Sequence, residues 1–145
     1  MFVYLDTDTR GGAVMLNFRI PNLGIRWDEE LESVFMEWTG FVQGEVFKQA
    51  VNQGLELLIA QKGCKWLADL SQMAVIAQED QRWLDEEWFP RAAQAGVKYI
   101  AMIRPAKVLS QMSVRRVTGK TGDLEMETAY FDSLEKAKEW IKSKK

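Results

Sequence analysis

The stretch from Lys65 to Trp88, KWLADLSQMAVIAQEDQRWLDEEW, decides the fold because its hydrophobic period changes partway along. Trp66 to Leu70 is a short, largely apolar run ending in Asp69-Leu70-Ser71, the pattern of a strand covered on both faces. From Gln78 the period lengthens to that of a helix: Leu84 and Trp88 stand four residues apart, Trp83 lies beside them, and carboxylates fill the positions between. A strand, a polar loop and an amphipathic helix make a βα unit, the building block of an α/β domain.

Upstream, Phe47, Ala50, Val51, Leu57 and Leu58 recur at helical spacing between Gln43 and Lys62. Gly54 falls where a side chain would crowd a neighbour, and Gly63 is expected to close the helix in a left-handed conformation. Before it, Leu23 to Trp27 and Glu32 to Trp38 flank the acidic turn Asp28-Glu29-Glu30 and read as a hairpin. Residues 1–20, with runs at Phe2 to Thr9 and Ala13 to Ile20, are either an added hairpin or a poorly ordered leader ahead of a true start at Met15.

Downstream, Pro90 cannot donate a backbone hydrogen bond, so the helix from Gln78 is expected to kink or break there before ending at Gly96. Val97 to Arg104 is a second buried strand, and Pro105 fits the first turn of a helix whose apolar face is Val108, Leu109 and Met112. Thr118 to Asp123 is a glycine loop and Leu124 to Phe131 a last strand. Asp132 and Glu135 resemble a capping box opening a final helix, which Leu134, Ala137, Trp140 and Ile141 dock on the sheet ahead of a solvated tail, Lys142 to Lys145. The whole chain, 1–145, reads as one α/β domain: a mixed sheet with an opening β-hairpin followed by repeated right-handed helix-strand units.

Composition narrows the chemistry. The 145 residues contain no histidine, which removes imidazole-activated nucleophiles, His-ligated zinc and His proton shuttles. With a net charge of −2 there is no basic field to attract nucleic acid. No apolar run approaches the roughly 20 residues of a membrane span, and Met1 to Leu5 lacks the basic start and length of a signal peptide, so a cytoplasmic protein is expected. The single cysteine, Cys64, has no internal partner and reads as a small buried thiol.

Ligands on open α/β sheets gather beyond the carboxyl ends of the parallel strands, which nominates Ser71, Gln72, Gln78, Arg104 and Lys120 as a ligand or partner rim. Gly119-Lys120-Thr121 matches the end of a phosphate-binding loop but has Val114 where the first glycine belongs and follows a helix rather than a strand. Asp85, Glu86 and Glu87 are consecutive, so on a helix they point about 100° apart and make a solvated face rather than a metal site. Six tryptophans are many for this length; most belong to the core, while Trp83, Trp88 and Phe89 are candidates for an interface. No catalytic residue, metal or cofactor is expected.

The element order, the strand end Asp69-Leu70-Ser71 and the helix that begins seven residues later resemble the STAS domain of anti-sigma factor antagonists, with related architecture in the CRAL-TRIO lipid-binding proteins. Glu37-Trp38-Thr39-Gly40, Lys65-Trp66-Leu67-Ala68-Asp69, Glu79-Asp80-Gln81 and Glu86-Glu87-Trp88-Phe89-Pro90-Arg91 resemble small bacterial STAS/CRAL-TRIO-like proteins that carry no assigned function. The resemblance implies a non-catalytic regulatory or protein-interaction domain, with a protein partner or a second copy as its target. The alternative it implies is a carrier or sensor of a small apolar or lipid-like ligand, which seven adaptable methionines would suit. Anti-sigma factor antagonists carry a phosphorylated Ser or Thr at the start of the helix after this strand. Here the matching residues are Ile76-Ala77-Gln78-Glu79-Asp80, with no hydroxyl, so that switch does not carry over.

Overall fold

The computed structural model describes the backbone of residues 4–10, 13–118 and 124–144, and the side chains of 21–116 and 124–144. Among these residues seven strands form one sheet whose spatial order is their sequence order. β1 (Tyr4–Arg10), β2 (Ala13–Ile20), β3 (Leu23–Asp28) and β4 (Ser33–Gly40) pair antiparallel in succession. From β4 onward the pairing is parallel, through β5 (Lys65–Met73), β6 (Tyr99–Ile103) and β7 (Glu127–Phe131). The sheet is therefore mixed, as the opening hairpin and the helix-separated strands require.

Each parallel step moves the same way across the sheet, so crossovers of one hand must put their helices on one face. That face holds α1 (Gly44–Ala60), the helix running from Gln78 to Ala95, and Val114 of α4 (Val108–Thr118), packed on Ile25, Val34, Met36, Trp66, Ala68, Ile100 and Met102. The opposite face is covered by α5 (Leu134–Lys142), whose Ala137 and Ile141 lie on Phe35, Leu67, Ala101 and Ile103. Strand alternation explains the division, since Trp66 and Ala68 point one way and Leu67 the other.

Proline 90 changes the helix without ending it. α2 (Gln78–Trp83) passes into a π turn (Leu84–Trp88), in which the Phe89 N–H bonds the carbonyl of Leu84, and then into α3 (Phe89–Ala95) with Pro90 in its first turn. The wider turn accommodates the missing proline donor, so the expected break takes the form of a re-registered ladder. Gly96 at φ 112° closes α3, as expected.

The close of α1 differs from expectation. Lys62, at φ 55°, is the left-handed residue; its N–H bonds Ile59 O, and the Gly63 N–H bonds Leu58 O at 2.9 Å. Glycine is needed at 63 for a different reason, because a Cβ there would stand 2.7 Å from the Trp27 ring.

Further corrections fall in the last third. Pro105 precedes α4 rather than opening it. The N-cap of α5 is Ser133, whose hydroxyl accepts from the Lys136 N–H at 3.3 Å; Asp132 pairs with Arg104 instead, so there is no capping box. The tail is not simply solvated: Lys142 bonds Glu30 at 2.6 Å, and Lys144 bonds Glu127 at 3.2 Å and lies over the Trp140 ring.

Candidate functional site

The carboxyl ends of the parallel strands are tied together by backbone bonds. The Ala74 N–H reaches Gly40 O at 2.8 Å, and the Ala106 N–H reaches Ser71 O at 3.3 Å. Ser71 itself is engaged, its hydroxyl donating to Asp69 Oδ1 at 2.7 Å and its N–H to the same oxygen at 3.0 Å. Gln72 lies opposite Thr39, exposed, and Gln78 is the exposed first residue of α2. Arg104 donates to Asp132 Oδ1 at 2.7 Å. Lys120 and its neighbours Gly119 and Thr121 lie outside the described residues. Lys98 and Arg104 flank opposite ends of β6, so the rim does not gather its charged groups into one cleft.

α4 sits on this rim with its faces reversed from the sequence reading. Val108 and Leu109 are 69% and 70% exposed and Met112 45%, while Ser110 and Ser113 are buried. The serines face inward because they have bonds to make there: the Ser113 hydroxyl accepts the Ile76 N–H at 3.0 Å and donates to Ser110 O at 2.8 Å. A buried serine so paired costs little, and its small size lets the helix approach the β5–α2 loop. The apolar residues are left pointing out, flanked by exposed Lys107, Arg115 and Arg116, and Val75 and Phe41 are exposed on loops at the same end of the sheet.

Of the three interface aromatics, two belong to the core. Trp88 and Phe89 are 4% and 6% exposed, their rings 5.2 Å apart and edge-to-face. Four-residue spacing from Leu84 puts Trp88 on the buried stripe, and Phe89 follows where the π turn ends. Trp83 is half-buried, with Lys48 5.7 Å and Arg91 5.9 Å from its ring, beside an open groove of about 370 Å³ between α1 and the following helix.

The sequence reading missed Asp80. It is 2% exposed, and its carboxylate accepts the Gly44 N–H at 3.0 and 3.3 Å, capping α1, whose own N-cap residue Gln43 makes no side-chain bond. Its signal was spacing, since Asp80 stands four and eight residues before Leu84 and Trp88 on the same stripe. Burial pushes its carboxyl above the ordinary 3.8, against the opposing pull of the Gly44 N–H and Lys48. The folded chain therefore holds more protons than the unfolded one just above that pH, and stability falls as pH rises through that window. Asp80→Asn, which keeps an acceptor for Gly44 without the charge, should be at least as stable as the parent at pH 7, with an advantage that shrinks toward pH 4. Asp80→Ala should lose about 0.5–2 kcal/mol, as for other lost caps. Urea denaturation at both pH values checks this; an Asn variant relatively weaker at pH 7 than at pH 4 contradicts it.

Among the described residues no three acidic or thiol side chains are placed to hold a metal ion, and no helix is long and apolar enough to cross a membrane. A family model described as SpoIIAA-like matches residues 33–142. No curated protein and no solved structure matches the chain.

Proposed function

The chain belongs to the SpoIIAA-like family, within the STAS-like superfamily, and from that premise we propose that it is a non-catalytic regulatory domain that works by binding another protein. The observation that carries this reading is the outward apolar stripe of α4. A monomer rarely presents Val, Leu and Met together on one helix face without a use for them. Lys107, Arg115 and Arg116 border the stripe and α4 contains no acidic residue, so the complementary partner is an amphipathic helix with an acidic margin.

A non-catalytic role is supported by how the rim spends its reactive groups: the Ser71 hydroxyl and the Arg104 guanidinium are both bonded to carboxylates within the domain. Carriage of an apolar ligand is less favoured. The core cavity under the helices, lined by Met36, Trp66, Trp88 and Met102, holds about 80 Å³, whereas ligand pockets begin near about 300 Å³.

The test is Leu109→Asp. Because Leu109 is 70% exposed, folding stability should stay within about 0.5 kcal/mol of the parent. Association with partners captured by crosslinking and identified by mass spectrometry should fall about tenfold or more, and Arg115→Glu should weaken it and flatten its salt dependence. Sedimentation separates self-association from binding of a different chain. Capture of the same partners, equally well, by parent and Leu109→Asp would overturn the proposal.

A further inference from the structure

At the opposite end of the sheet, Lys65 opens β5 and is 8% exposed. Lysine is almost never buried to that degree unless paired, because its ammonium loses hydration it must recover elsewhere. Other cations of the domain find carboxylates: Arg26 with Asp28, Arg104 with Asp132, Lys142 with Glu30 and Lys144 with Glu127. Among the described residues the Lys65 ammonium has neither a hydrogen-bond acceptor nor an ion-pair partner. No enclosed side-chain nitrogen or oxygen among the described residues lacks a hydrogen-bond partner, so an Nζ without one opens on the space it lines.

That space is a pocket of about 500 Å³ at the amino ends of β4 and β5, between the close of α1, the β3–β4 turn and the end of α5. Its volume falls within the usual range for small-molecule sites. Lys62 brings further positive charge, Lys144 a cation already paired with Glu127, and the Trp27 ring an apolar wall. Glu29 and Glu32 also line it. One oxygen of Glu29 accepts the Trp27 indole N–H at 3.0 Å, whereas Glu32 makes no side-chain hydrogen bond among the described residues and is the freer acceptor of the two.

From a lysine that is largely buried yet opens its unpartnered ammonium on the pocket, and a carboxylate that lines the same pocket, we infer that the pocket binds a small carboxylate that also carries an amino group, its carboxylate on Lys65 and its ammonium toward Glu32. Lysine supplies three donors that a carboxylate can accept, and Glu32 disfavours an anion that brings no positive charge of its own. The site is independent of α4, which lies at the other end of the strands, so its failure would leave the docking proposal standing.

The probes are glycine, acetate and inorganic phosphate, titrated by chemical-shift perturbation into the full chain at low salt. Glycine should bind saturably, with shifts centred on residues 61–65 and 29–32, and tighter than acetate or phosphate. Lys65→Met, close in length and without the charge, should weaken glycine at least tenfold, while Lys107→Met at the far end should leave it unchanged. Glu32→Gln keeps the proposal testable should the Lys65 variant misfold: it should weaken glycine and strengthen acetate. Absence of saturable binding by any probe would overturn the inference. So would phosphate binding tightest, glycine binding indifferent to Lys65→Met in a folded variant, or glycine and acetate responding alike to Glu32→Gln.

Discussion

Trp88→Ala is expected to lose about 3–5 kcal/mol of folding stability with no change in oligomeric state. The side chain is 4% exposed, its ring stands edge-to-face 5.2 Å from both Trp66 and Phe89, and its indole N–H donates to Val51 O at 3.3 Å. Removing it would enlarge a cavity of about 80 Å³ that Trp88 already lines, in a layer where sheet and helices meet through aromatic rings that cannot slump into the gap. Domains of this kind have about 5–15 kcal/mol in hand, so the variant would sit near the edge of folding. Urea denaturation measures the loss and size-exclusion chromatography the oligomeric state. A stability loss under about 1 kcal/mol, or dissociation of an assembly with stability intact, would return Trp88 to the surface role.

Gly54→Val should cost about 2–3 kcal/mol although it lies in a helix, where glycine is ordinarily a weakness. A Cβ at position 54 would stand 2.5 Å from Trp66 Cη2 and 2.9 Å from Cζ2, and the Trp66 ring is itself backed by Trp88. Gly54→Ala meets the same ring but gains about 1 kcal/mol of helix propensity, which offsets part of the strain. The melting temperatures should therefore fall in the order parent, Gly54→Ala, Gly54→Val. Combining Gly54→Val with Trp66→Leu should cost less than the sum of the two changes, because the collision is removed. Full additivity would mean that the pair does not collide.

Much of this architecture was legible because its determinants are periodic. The continuous apolar run of β5, the stripe of α1 with its glycine, and the four-residue Leu84–Trp88 spacing each mark their element within a few residues. What escaped was set by single polar bonds. α4 turned its serines inward because Ser113 could satisfy the Ile76 N–H, a partner 37 residues away that no local pattern announces. Asp80 is one of two carboxylates in the first turn of α2, beside Glu79, yet it caps α1 from 36 residues off. Trp88 and Phe89 went to the core and Trp83 to its margin because the π turn fixed the phase of the helix, and a proline alone does not specify that choice. Of the rim, the sequence could nominate positions but not show that Ser71 and Arg104 would be spent on Asp69 and Asp132.

The coincidence of spatial and sequence order in the sheet bears on how the chain assembles. Every strand is bonded to the one made just before it, so no strand has to wait, exposed, for a distant partner to arrive. Such a sheet can grow by annealing from its amino-terminal edge, each new strand closing either a hairpin turn or a connection made of one helical segment and its flanking loops, which keeps the entropic cost of each closure small. The exception is the face under α5, which the last helix must return to cover, reaching back to Phe35 and Leu67 from the far end of the chain. Assembly would then finish there, and until it did, half of the sheet would remain a wet, apolar surface.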